Sequence, residues 1–142
     1  MSEMSNKKKY LLTSLEKESV EKLLKSKLSQ RAEILFAYLH GSFLLPTSCG
    51  DVDVAVYLDD KVMPQKQWEY EVELSLYLED HAGIPVDVMV LNFAPIALRY
   101  HVTRGKILFS RDEKTRFDFL EKTWREYFDY QPMIKSFFND LI

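Results

Sequence analysis

A chain of 142 residues, 46% hydrophobic and 13% aromatic, is long enough to bury one sizeable core and too apolar for a disordered tail. A net charge of −3 supplies no global basic field, so direct binding to nucleic acid or to an anionic membrane is not expected. Cys49 is the single cysteine, which excludes an intrachain disulfide and a thiolate metal cluster, and no apolar run reaches the roughly 18 residues of a membrane span. With no signal-peptide pattern at its start, the chain reads as one cytoplasmic domain over residues 1–142, with a core at about 13–110 and a C-terminal helical segment at about 112–142.

Lys7-Lys8-Lys9 is a short charged run near the terminus and reads as a solvated start. Thr13 and Glu16 have the spacing of a capping box, and Val20, Leu23, Leu24 and Leu28 follow at helical spacing, predicting a helix that ends near Ser29. Ile34–Leu39 is the first strand, and Gly41-Ser42 follows it at once. A glycine there lets a ligand approach the backbone closely, and a serine adds a hydroxyl beside exposed N–H groups. Residues 43–50 are a short connection punctuated by Pro46 and Gly50.

The second strand carries Asp51 and Asp53 in an alternation, Asp-Val-Asp-Val-Ala-Val, and stops near Asp59-Asp60. From Met63 to Ala82 the signals conflict. Trp68, Tyr70, Val72, Leu74, Leu76 and Leu78 alternate as in a strand, but the run is too long for one, and five acidic residues fall between Glu69 and Asp80. Gly83 stands where a helix would be capped, so the prediction is a helix. Ile84–Asn92 is a third strand with Val86, Val88 and Val90 on one face and Asp87 on the other. Pro95 starts a short helix closed by Gly105, Lys106–Phe109 is a small edge strand, and Asp112 caps a long terminal helix. In that helix Phe117, Leu120, Trp124, Tyr127 and Phe128 make an apolar stripe, Pro132 is an interruption, and Phe137, Phe138, Leu141 and Ile142 end the chain on an apolar note.

Residues two apart in a strand share a face, so Asp51 and Asp53 point one way while Val52, Val54 and Val56 point into the core. Two carboxylates side by side repel each other, and such a pair is stabilised by a cation between them. Oxygen-only ligands suit a hard divalent ion, Mg²⁺ or Mn²⁺, better than zinc. The bland alternatives are a turn-capping role for Asp51 after Cys49-Gly50 and a turn role for Ser42; Asp53, further into the strand, is harder to read that way. His40, His81 and His101 lack zinc spacing and read as structural, with His40 the one of interest for its position beside Gly41. Cys49 reads as incidental.

The pattern Gly-Ser-x₈-Asp-x-Asp over Gly41–Asp53, followed 34 residues later by Asp87, resembles the minimal nucleotidyltransferases of the DNA-polymerase-β-like superfamily. The stretches VDVMVLN, NFAPIALRYHVTRGKILFSRD and REYFDYQP fit as well, so the resemblance covers roughly residues 30–132. It implies an α/β fold, a small mixed β-sheet flanked by helices. It further implies that Asp51, Asp53 and Asp87 hold two Mg²⁺ ions (or Mn²⁺), that Asp87 takes the proton of the attacking hydroxyl, and that Gly41 and Ser42 bind the β- and γ-phosphates of ATP. Arg99, Arg104 and Lys106 lie nearby, with nothing in their spacing to single them out.

The chain departs from the family pattern after Gly41-Ser42. Where many members carry an arginine and a further glycine, it reads Phe43-Leu44-Leu45-Pro46. Members this small commonly act as antitoxins that transfer AMP to a tyrosine of a HEPN-family ribonuclease toxin, and the resemblance implies that activity and that partner here. Two other readings stay open: an antitoxin that masks the toxin by contact alone, and a transferase acting on a small molecule. The aromatic residues of the last helix exceed what a small sheet needs to cover and point to a homo- or hetero-oligomer contact there.

Overall fold

The structure, a computed structural model, describes residues 12–46 and 51–141, with side chains as far as residue 129. Lys7–Lys9, Cys49 and Gly50 lie outside these residues, as do the side chains of Phe137, Phe138, Leu141 and Ile142. In chain order the elements are α1 (Ser14–Ser29), β1 (Ile34–His40), β2 (Val52–Leu58), α2 (Gln67–Ala82), β3 (Val86–Val90), α3 (Ile96–Thr103), β4 (Lys106–Ser110) and α4 (Glu113–Leu141). A one-turn 3₁₀ segment, Gly41–Leu44, follows β1, and another, Asp60–Val62, follows β2. The strands form one mixed sheet in the order β3-β2-β1-β4, with β1 antiparallel to β2 and β4, and β2 parallel to β3. Among the described residues no helix is long and apolar enough to cross a membrane.

The sheet is buried on both faces. Ala37, Leu39, Val52, Val54, Val56, Val86, Val88 and Val90 meet Leu24 and Leu28 of α1 and Leu74 and Leu78 of α2. On the other face, Phe36, Tyr38 and Ala55 pack against Val102 of α3 and Phe119 of α4. The capping box of α1 is present in full: Thr13 Oγ1 accepts the Glu16 amide at 3.1 Å, and Glu16 Oε1 accepts the Thr13 amide at 2.8 Å.

The stretch with conflicting signals is a helix from Gln67, four residues later than read, and Gly83 caps it in the left-handed region at φ +74°. Its strand-like alternation splits into two helical rows. Leu74 and Leu78, with Tyr70, face the core, whereas Trp68, Val72 and Leu76 face outward with 63%, 52% and 60% of their surface exposed. Between these rows, polar residues of α2 close the edge strand β3. Glu79 Oε1 accepts the Val86 amide at 3.1 Å, Ser75 Oγ the Val88 amide at 3.0 Å, and Glu71 Oε2 the Val90 amide at 2.8 Å. Four helical residues rise about 6 Å and two strand residues about 6.6 Å, so the antiparallel helix matches the strand donor for donor. An edge otherwise open to pairing is thereby satisfied within the chain.

Three expectations are corrected. Pro95 is the residue before α3 rather than its first member. Pro132 does not interrupt the last helix, which continues from Glu113 to Leu141; one missing N–H can be absorbed within a helix, as a bend at most. The apolar stripe of α4 is also displaced. Leu120 packs on the core as expected, but beside it stand Phe119 and Thr123, while Phe117 and Phe128 are exposed. Trp124 and Tyr127 pack on α3 instead: Trp124 Nε1 donates to Thr103 Oγ1 at 3.0 Å, and the Tyr127 ring stacks on Tyr100 with centroids 3.8 Å apart. The cap is as expected, with Asp112 Oδ1 accepting the Thr115 amide at 3.0 Å.

Candidate active site

Strand pairing assembles the three carboxylates. The parallel β2–β3 register sets Asp53 directly beside Asp87, and Asp51, immediately before β2, lies on the same side of the sheet as Asp53. One oxygen from each of Asp51, Asp53 and Asp87 lies within 4.8 Å of the other two; the first two residues are half-buried and Asp87 is exposed. Three converging carboxylates, all oxygen and open to solvent on one side, fit a hard divalent cation, which would relieve their mutual repulsion.

The antiparallel β1–β2 register brings the Gly-Ser turn to the same place, because it pairs His40 with Asp53. Gly41 then turns the chain at φ +82°, and a β-carbon on it would lie 2.4 Å from Asp53 Oδ2. Glycine is needed there twice over, for the backbone angle and for the space the carboxylate occupies. The departure after Ser42 also has a structural account. Phe43 is buried and anchors the 3₁₀ turn in the core. Lys17 of α1 reaches across, its ammonium donating to the Phe43 carbonyl at 3.1 Å and to the Leu45 carbonyl, with the Phe43 ring beneath it at 5.4 Å. An apolar plug and a lysine clamp hold the turn here.

The sequence model of the family described as polymerase beta, nucleotidyltransferase matches residues 22–114, which span the whole sheet and all three carboxylates. The chain belongs to this family. No curated relative matches it by sequence. Solved structures share the fold. A Shewanella oneidensis complex of tri-AMPylated HEPN toxin with MNT antitoxin is 23% identical, matched over 92% of this chain and 98% of that one at TM-score 0.65. A mutant of the toxin–antitoxin pair MntA–HpeT is 26% identical over 87% and 95% at TM-score 0.66, and a toxin–antitoxin structure with AMP-PNP is 24% identical over 88% and 97% at 0.65.

Two cavities flank the carboxylates of this nucleotidyltransferase, and neither was singled out from the sequence. On the β1–β4 side, about 430 Å³ is walled by His40, Gly41, Leu44, His101 and Arg104. A β-carbon on the neighbouring Gly105 would lie 2.2 Å from the Leu39 carbonyl oxygen, so a glycine lets the α3–β4 turn abut β1 and bring Arg104 beside Gly41. His40 and His101 meet edge to face at 6.4 Å, and the buried Nε2 of His40 has no hydrogen-bond partner among the described residues. Burial foremost, and then His101, hold the His40 imidazole below its ordinary value, against an opposing pull from Asp87. The second cavity, about 470 Å³, opens on the β3 side and holds Asp51 and Asp87 together with Trp68, Val72 and Leu76 of α2. His40 stood out in sequence only by its place beside Gly41; Arg104 and Trp68 carried no signal, because contacts between elements bring them to the site.

Proposed function

We propose that this nucleotidyltransferase is an antitoxin enzyme that transfers AMP from ATP to a tyrosine hydroxyl of a HEPN-family ribonuclease, silencing it. The observation that carries the reading is the convergence of Asp51, Asp53 and Asp87 beside the backbone of Gly41. The likeness to structures containing an AMPylated HEPN toxin and AMP-PNP, over nearly the full length of those chains, supports the choice of nucleotide and acceptor.

Two Mg²⁺ ions (or Mn²⁺) held by Asp51 and Asp53, with Asp87 completing the site for one, would supply Lewis-acid stabilisation of the entering and leaving oxygens. Asp87, exposed on the neighbouring strand, takes the proton of the tyrosine hydroxyl. That oxygen bonds to the α-phosphorus, the bond from the α-phosphorus to the bridging oxygen breaks, and pyrophosphate leaves with the bonding pair. The amides of the turn after His40 and the Ser42 hydroxyl bind the β- and γ-phosphates, with Arg104 and His101 on the same side. On the ribonuclease, the adenylate adds bulk and negative charge where an RNA phosphate must bind.

The test is the intact mass of the HEPN ribonuclease encoded by an adjoining gene after incubation with this protein, ATP and Mg²⁺. One or more added AMP units, absent with the Asp51→Ala/Asp53→Ala double variant, is the expected result. A stable complex with a silenced but unmodified ribonuclease would replace transfer by contact masking.

A further inference from the structure

We infer that the groove between α2 and the edge strand β3 is the docking surface for the acceptor protein, and that it takes a basic face of that protein with its hydroxyl-bearing side chain pointing at Asp87. The inference rests on the transferase reading above and adds where and how the acceptor binds.

The first observation is an unexplained apolar row. Trp68, Val72 and Leu76 lie on one face of α2, each more than half exposed and none of them among the buried residues of the core. Single exposed apolar residues are ordinary, but three in register, one of them a tryptophan, mark a contact surface. The second observation is where the row leads. The same cavity that holds these three side chains holds Asp51 and Asp87, so an occupant seated on the row reaches the carboxylates directly.

The third observation selects the occupant. The charged side chains in the groove are all acidic: Asp51, Glu71, Glu79 and Asp87 line it, and Glu69, Glu73 and Asp80 stand exposed on the same helix. A nucleoside triphosphate is polyanionic and is repelled by this lining, whereas the cavity on the opposite side offers Arg104 and two imidazoles. The two reactants therefore enter from opposite sides of the carboxylates. A second copy of this chain, itself net negative, is a poor match for the groove; a protein whose face is basic complements it. A ribonuclease, which must bind RNA phosphates, presents such a face. Strand addition at β3 is excluded as the docking mode, since Glu71, Ser75 and Glu79 already take its outward amides.

The experiment uses the full chain and the HEPN ribonuclease of the adjoining gene, with Trp68→Ala and Leu76→Asp, both at exposed positions, and Glu73→Lys for the charge term. Transfer is followed by intact mass, ATP affinity by calorimetry, and complex formation by sedimentation at low and high salt. The expected result is a loss of about tenfold or more in the rate of transfer for Trp68→Ala and Leu76→Asp, with ATP affinity unchanged. For Glu73→Lys the expected loss is smaller and disappears at high salt. Unchanged transfer in the apolar variants overturns the inference, as does the same loss from Phe128→Asp alone, which would move the dock to α4. If the unaltered protein binds ATP but transfers nothing, the transferase reading fails by itself, and complex formation decides the groove: a complex weakened by Trp68→Ala and Leu76→Asp upholds it, and an unaffected or absent complex overturns it.

Discussion

The two cavities beside the carboxylates are alike in size and opposite in character. The one between β1 and the α3–β4 turn is walled by Arg104, His101 and His40, and the one between β3 and α2 by Asp51, Glu71, Glu79 and Asp87 beside an apolar row. Asp53 pairs with His40 on one side and with Asp87 on the other, so it stands at the boundary. On the proposed reading, the contrast teaches that a small domain can order two reactants by the character of its flanks, a basic one for a polyanion and an acidic one with an apolar row for a basic protein.

The largest expected effect falls on the boundary and spares neither flank. On the proposed mechanism, Asp53→Asn should lower AMP transfer by about a hundredfold or more in single-turnover measurements, because it removes one of the three converging charges, while the circular dichroism spectrum is retained. Removing divalent metal with a chelator should have the same outcome, reversed by Mg²⁺ or Mn²⁺. Activity surviving both would refute the carboxylate site.

Next in size is Gly41→Ala, which would force a β-carbon onto the Asp53 carboxylate and a left-handed angle onto alanine. A cost of about 1–2 kcal/mol in urea unfolding is expected from the angle, with transfer falling further than that stability loss explains. Gly83→Ala is the control. It has a similar φ of +74° but open space around it, so it should lose stability and keep transfer.

The flanks are then separated by Arg104→Ala, expected to raise the KM for ATP about tenfold and leave the KM for the protein acceptor unchanged. Combined with Trp68→Ala, the two effects should add as free energies, because the residues lie on opposite sides of the carboxylates. A strongly non-additive pair would erase the distinction between the flanks.

Smaller still is Ser75→Ala, which leaves the Val88 amide without its acceptor at the wall of the acidic flank. A loss of about 1 kcal/mol and faster hydrogen exchange at that amide are expected. The smallest effect lies away from both flanks. The Arg116 guanidinium holds Glu113, at the start of α4, from an ordinary 4.5 down to about 2. A carboxylate lowered in the folded state contributes stability that is present above pH 4.5 and lost as the pH falls toward 2. Glu113→Gln should flatten that part of the acid-unfolding curve.

Much of this arrangement is legible in the residues. Asp-Val-Asp-Val declares one face polar and the other buried, and Val52, Val54 and Val56 are indeed fully buried. Thr13 and Glu16 declare a helix start, and Gly83 a helix end. The alternation in α2 was ambiguous because every second residue is apolar. In a helix those residues fall into two rows, and only the environment decides which row is covered. The course of α4 differs from its sequence pattern for a related reason: the spacing of its aromatics does not say that α3 takes up Trp124 and Tyr127, or that Pro132 is absorbed within the helix.

What the sequence determined by itself is local and periodic: the helix and strand faces, the Gly-Ser turn, and the three carboxylates with the cation chemistry their oxygens permit. The tertiary structure alone decided who stands beside them. Arg104 stands beside Gly41 because Gly105 lets a turn press on β1, and Trp68 shares a cavity with Asp87 because α2 lies along the edge of β3. Neither follows from spacing, since Arg104 lies 17 residues from Asp87 and 63 from Gly41 along the chain, and proximity in space is set by strand order and helix packing.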